Sequence, residues 1–178
     1  MAFERIRRQK AAESVPKGLP PSRQRLVFGR MPRTPRGHLP DGLYHVTSRG
    51  VDGSAIFGDE QDRVFFLRLL ADTAERFAWR CHAFCLMGTH YHLVIEALRA
   101  QLSAGLHRLN GTYAQAFNHR YKRTGHVFGH RFHAWVIESE EHLEATCRYV
   151  VLNLVRAGLC TNASDWPWSG PRYAGNGR

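Results

Sequence analysis

His90 and His92 stand two residues apart, with Tyr91 between them, in the stretch Met87-Gly-Thr-His-Tyr-His-Leu-Val94 that opens an apolar run. Side chains alternate between the faces of a strand, so a strand here would project both imidazoles from one face and Tyr91 from the other. Two imidazoles on one face are half of a divalent-metal site, and the remaining donors must come from elsewhere in the chain. The same spacing also suits two polar residues on the wet side of an antiparallel sheet. The pair alone does not separate these readings.

A second pair lies far along the chain. Tyr149 and Asn153 are four residues apart, which puts them on one helix face, one turn from each other. Their neighbours Val150, Val151, Leu152, Leu154 and Val155 are apolar, as in a buried helix. An asparagine in such a run lowers helix propensity, and its amide costs a few kcal/mol if buried without partners. Either it bonds to a neighbouring loop, or its carbonyl oxygen completes the His90/His92 set and holds Tyr149 beside a metal.

The elements that would carry these residues can be read from periodicity. Leu43 to Arg49 alternates and reads as a first strand ended by Gly50. Asp59-Glu-Gln-Asp62 caps a helix carrying Val64, Phe65, Leu67, Leu69, Leu70, Ala74 and Phe77. Trp79 to Leu86 and Thr89 to Ile95 form a hairpin through Met87-Gly88. Leu102 to Tyr121 has helical spacing, interrupted by Gly111, and a basic loop from Arg120 to Gly125 follows. A strand is expected from Val127 to Ile137, then a helix capped by Glu138-Ser-Glu-Glu-His142 that runs to about Arg156 and closes at Gly158. The indoles of Asp165-Trp-Pro-Trp-Ser-Gly should pack back onto the domain. The order β-α-β-β-α-β-α predicts an α+β fold: a ferredoxin-like βαββαβ antiparallel sheet with one added C-terminal helix, the one bearing Tyr149.

At 178 residues, 43% apolar and 22% charged, the chain fits one soluble domain. No apolar run approaches the ~20 residues that span a bilayer, and the charged start is no secretory signal. An intracellular protein is expected, with no membrane partner. Cys81, Cys85, Cys147 and Cys160 show no C-x-x-C spacing; Cys81 and Cys85 read as small core hydrophobes, and disulfides are not expected. The net charge of +10 is concentrated: residues 1–36 hold ten Lys or Arg against two acids. We expect 1–36 to be a basic, disordered extension and 37–178 the working domain, with Met31 an alternative start. Such a tail suits a polyanion, DNA or RNA first, or is a solvated arm with no partner.

Three strings together resemble the REP-associated tyrosine transposases, single-tyrosine enzymes of the HUH endonuclease superfamily. They are Tyr44-His-Val-Thr-Ser-Arg-Gly50, Cys85-Leu-Met-Gly-Thr-His-Tyr-His-Leu93 and Arg148-Tyr-Val-Val-Leu-Asn-Leu-Val-Arg-Ala-Gly158. The segment Arg123-Thr-Gly-His-Val-Phe-Gly-His-Arg131 and the Trp168-Ser169 pair also match, so the resemblance spans roughly residues 31–170. It implies that His90, His92 and Asn153 ligate a divalent metal and that Tyr149 is the catalytic nucleophile. Two positions depart from the family pattern: Gly88-Thr89 replaces Pro-Asn, and Leu154 replaces a proline. Both spare the proposed chemistry.

The implied reaction is metal-dependent endonuclease and strand-transferase chemistry on single-stranded, hairpin-forming repeat DNA, through a 5′-phosphotyrosine. Imidazole and amide ligands completed by oxygens suit Mg²⁺ or Mn²⁺, though two histidines would also accept Zn²⁺. Tyr113 and Tyr121 are rival nucleophiles without an amide one turn later. Arg49, Arg120, Lys122, Arg123, Arg131 and Arg156 are candidate DNA contacts. His45, His130 and His133 are possible general bases by residue type alone. The resemblance further implies a bacterial, cytoplasmic, nucleoid-associated protein acting as a monomer or homodimer. Two readings compete: a non-catalytic nucleic-acid-binding protein of the same fold, which would need none of the four site residues, and a small zinc protein.

Overall fold

Alternating apolar and β-branched residues build a five-stranded sheet in the computed structural model, which describes residues 40–171. The expectations for the extension at 1–36 lie outside the described residues. Strand β1 (Gly42–Arg49) leads to helix α1 (Glu60–Arg76), then the hairpin β2 (Arg80–Leu86) and β3 (His90–Ala97). Helix α2 (Arg99–Tyr121), strand β4 (His133–Ile137), helix α3 (Glu140–Arg156) and a short strand β5 (Ser169–Pro171) complete it. The sheet order is β4-β1-β3-β2-β5, with every neighbour antiparallel. Its first four strands are in the ferredoxin-like order expected of βαββαβ.

The pleat divides the strands between two cores. Tyr44, Val46, Leu86, Tyr91, Leu93 and Ile95 face α1 and α2, where they meet Phe66, Leu70, Leu102, Leu106 and Leu109. The opposite side chains Ala83, Cys85 and Val94 pack with Val150 and Leu154 of α3. A bulge between Cys81 and Ala83 resets the alternation of β2, so these two residues enter different cores. Thus α3 covers the sheet face that α1 and α2 leave open. No helix among the described residues is long and apolar enough to cross a membrane.

Local chemistry sets the helix ends. Asp59 and Asp62 form a reciprocal capping box at the start of α1. Ser139 caps α3 by accepting from His142 N. Helix α2 continues through Gly111, so the expected interruption is absent. A Cβ at Gly111 would meet nothing within 4 Å, whereas one at Gly105 would sit 2.2 Å from the Trp79 ring. Gly111→Ala is therefore expected to stabilise the fold by about 0.5–1 kcal/mol, read as a higher urea midpoint. A lower midpoint would show a role for Gly111 beyond its place in the helix.

Two departures concern the C-terminal third. The strand expected from Val127 begins only at His133, because residues 122–132 form a loop docked on the end of β1. Val51 N donates to Val127 O (3.0 Å), Gly129 N donates to Arg49 O (3.0 Å), and Phe128 bridges Gly50. A Cβ at Gly129 would lie 3.0 Å from Val51 Cα, so the close approach favours glycine. The second departure is β5, which pairs with β2 through Ser169, Gly170 and Pro171. Trp166 Nε1 donates to Leu86 O (3.2 Å), and both Trp166 and Trp168 lie over the Arg63 guanidinium. The indoles do pack back onto the domain, with an edge strand that tolerates proline.

Candidate functional site

Parity along β3 sends Tyr91 into the α1/α2 core, where its hydroxyl donates to Asn110 Oδ1 (2.7 Å). His90 and His92 project from the opposite face, toward α3, as their spacing requires. The Tyr149 ring stands edge-on to His92 with centroids 6.3 Å apart, and to His45 of β1 at 6.1 Å. The His90 and His92 rings are 5.1 Å apart. Tyr149 and His92, 57 positions apart in the sequence, therefore meet across one sheet face.

Each imidazole of the pair has its Nδ1 engaged. His90 Nδ1 lies 3.0 Å from the Thr89 hydroxyl oxygen, and His92 Nδ1 lies 3.0 Å from His45 Nε2. That leaves Nε2 of each ring for a ligand. Burial pushes His92 down to about 3, with His45 and His90 adding to the effect. It takes His45 down to about 4, with a smaller push from His142. His90 is lowered by burial first and by Arg49 second. These shifts favour the neutral ring, the form whose nitrogen can offer its lone pair to a metal.

Asn153 sits one turn beyond Tyr149, and its amide nitrogen is buried with no hydrogen-bond partner. A buried amide pole without a partner is costly, and a ligating role for the amide is one way to offset it. Nitrogen and oxygen of an asparagine amide exchange by a 180° flip, so either can occupy that position. Two neutral imidazoles and an amide fit a divalent ion. Among the described residues no three His, Cys, Asp or Glu side chains are grouped to hold a metal, so a third protein ligand must be of another type. The cysteine–histidine zinc reading finds no such cluster there, and among the described residues the four cysteines form no disulfide.

The rival tyrosines are occupied elsewhere. The Tyr113 hydroxyl is buried and donates to Ile56 O, and Tyr121 donates to Asp62 Oδ2 (2.8 Å). Among the candidate DNA contacts, Arg156 lies 5.0 Å over the Tyr149 ring, and Arg49 pairs in register with His90. Lys122, Arg123 and Arg131 are exposed on or beside the loop docked on β1, with Arg123 5.6 Å over the Phe117 ring. Arg120, also a candidate DNA contact, is engaged with acids at the start of α1. Its guanidinium bonds Asp59 (2.6 Å) and Asp62 (2.5 Å), so it ties α2 to the α1 cap. The acidic cap was the available signal for that pairing. His45, a base candidate by residue type alone, lies on the site face through its parity in β1.

A family model described as transposase, IS200-like, matches residues 41–153, a span that includes both histidines, Tyr149 and Asn153. Among solved structures, the chain is similar to a REP-associated tyrosine transposase bound to a REP hairpin. That likeness has 16% identity and a TM-score of 0.58 over 78% of this chain and 82% of the other. A protein from Deinococcus radiodurans described as a transposase is also similar, with 18% identity and a TM-score of 0.45 over 67% of this chain and 95% of the other. Comparison with curated proteins gives no match.

Proposed function

Because the chain belongs to the IS200-like transposase family, we propose that it cleaves and rejoins single-stranded DNA through a covalent bond to Tyr149. The observation that carries this reading is the Tyr149 ring set against His92 across the sheet, 6.3 Å between centroids within one chain. The Tyr149 oxygen attacks the scissile phosphorus and the P–O3′ bond breaks, its electron pair passing to O3′. The phenol gives up one proton and O3′ takes up one, leaving a free 3′-hydroxyl and a 5′-phosphate esterified to tyrosine. Attack by a 3′-hydroxyl reverses the step, so rejoining needs no nucleotide cofactor.

His90, His92 and the Asn153 amide oxygen would hold Mg²⁺ or Mn²⁺. When bound, such an ion would polarise the scissile phosphate and offset its charge. Arg156, over the tyrosine ring, and Arg49, in register with His90, would pair with phosphates next to the reacting one. Lys122, Arg123 and Arg131 extend that basic surface along the docked loop. Phosphate pairing sets affinity and register and carries little sequence information. A folded hairpin is the proposed substrate, because the similar REP-associated transposase was solved with one.

The test is incubation of the full chain with a 3′-end-labelled single strand carrying a hairpin, in Mn²⁺, followed by a denaturing gel. A labelled protein–DNA band that disappears in chelator and in His92→Ala is the expected result. Tight binding with no covalent band under any metal would leave a binding protein and overturn the enzymatic reading.

A further inference from the structure

His45 is neither a ligand nor the nucleophile in the proposed reaction, yet it is among the buried polar side chains of the described residues, at 5% exposure. It reaches the site from β1, two positions along in register from the residue opposite His92. Its Nε2 lies 3.0 Å from His92 Nδ1, and the two rings stack with centroids 5.2 Å apart. Trp135 of β4 at 5.3 Å and Tyr149 of α3 at 6.1 Å fix the ring from two further elements. A side chain so confined has one orientation to offer its neighbour.

Two neutral imidazoles in contact share one proton between the facing nitrogens, and the choice matters. If His45 Nε2 carried it, His92 would hold its own proton on Nε2, leaving no lone pair there. If His92 Nδ1 carries it, His45 accepts and His92 Nε2 is open. We infer that His45 is a positioning residue that accepts the Nδ1–H of His92 and so fixes the tautomer whose Nε2 lone pair can bind a divalent ion. This rests on the reading of His92 as a metal ligand. Thr89 makes the corresponding contact to His90 from a flexible hydroxyl, whereas His45 does so from a ring packed on all sides.

The experiment uses the full chain without DNA. Mn²⁺ is titrated by calorimetry into the wild type, His92→Ala, His45→Phe and His45→Gln, and the imidazole tautomers of the apo wild type are read from assigned ¹⁵N–¹H NMR spectra. We expect His45→Phe to weaken Mn²⁺ binding by roughly 10–100-fold, the usual scale for losing an outer-shell partner. His45→Gln, which keeps an acceptor oxygen, should largely retain affinity. The apo spectrum should show His92 as the Nδ1–H tautomer. An Nε2–H tautomer for His92, or unchanged affinity in His45→Phe, would overturn the inference while leaving the site intact. Equal affinity in wild type and His92→Ala would overturn the ligand assignment, and the inference with it. The NMR reading needs no variant to fold.

Discussion

Tyr149→Phe is expected to abolish the covalent protein–DNA band, a loss of about 10³-fold or more, while hairpin binding and the folded spectrum stay as in the wild type. The ring packs beside His45 and His92, and phenylalanine keeps those edge contacts while removing the one attacking oxygen. Neither rival can substitute. Tyr113 is buried with its hydroxyl committed to Ile56 O, and burial raises its pKa well above the ordinary phenol value. Tyr121 is committed to Asp62 in the α1 cap. Tyr121→Phe should therefore keep the adduct. Since tyrosine and histidine meet within one chain, mixing Tyr149→Phe with His92→Ala should not restore it. A band that survives in Tyr149→Phe sinks the nucleophile assignment, and restoration on mixing would show that the helix acts in a partner subunit.

The residues of the site were readable because each carries its own local signal. Period-two spacing put His90 and His92 on one face, and a polar residue inside an apolar helix drew attention to Asn153. What could not be read was which strand lies beside which. His45 is 47 residues from His92 in sequence, and only the β1–β3 register makes them neighbours. Arg120 has the same history: a basic residue before a basic loop looks free until α2 packs on α1 and meets Asp59 and Asp62. Length misled for β4. Val127 and Phe132 are apolar because they fill the main core from a loop, not because they extend a strand. Strand β5 is three residues with a proline, too short for any periodicity to register. Local patterns carry the elements and the residues proposed for the site; the contacts of His45 and Arg120 are products of tertiary pairing.

Asn153→Ala separates function from structure by moving two measurements in opposite directions. Alanine keeps the backbone carbonyl that accepts from Ala157 N (2.9 Å) at the end of α3 and removes only the amide. That amide has a buried nitrogen with no partner, in a helix position where alanine has the higher propensity. Chelated, metal-free Asn153→Ala should therefore be as stable as the wild type or more stable by about 0.5 kcal/mol in urea. Loss of one of the three proposed protein ligands should at the same time lower Mn²⁺-dependent cleavage by roughly 100-fold. An asparagine kept for a loop contact predicts the reverse: a loss of about 1–3 kcal/mol in stability with cleavage largely intact. Leu154, which replaces the family's proline, is buried against the sheet and supports the helix in either case. A variant that gains stability as it loses cleavage would mark Asn153 as a residue retained for chemistry at a small cost to the fold.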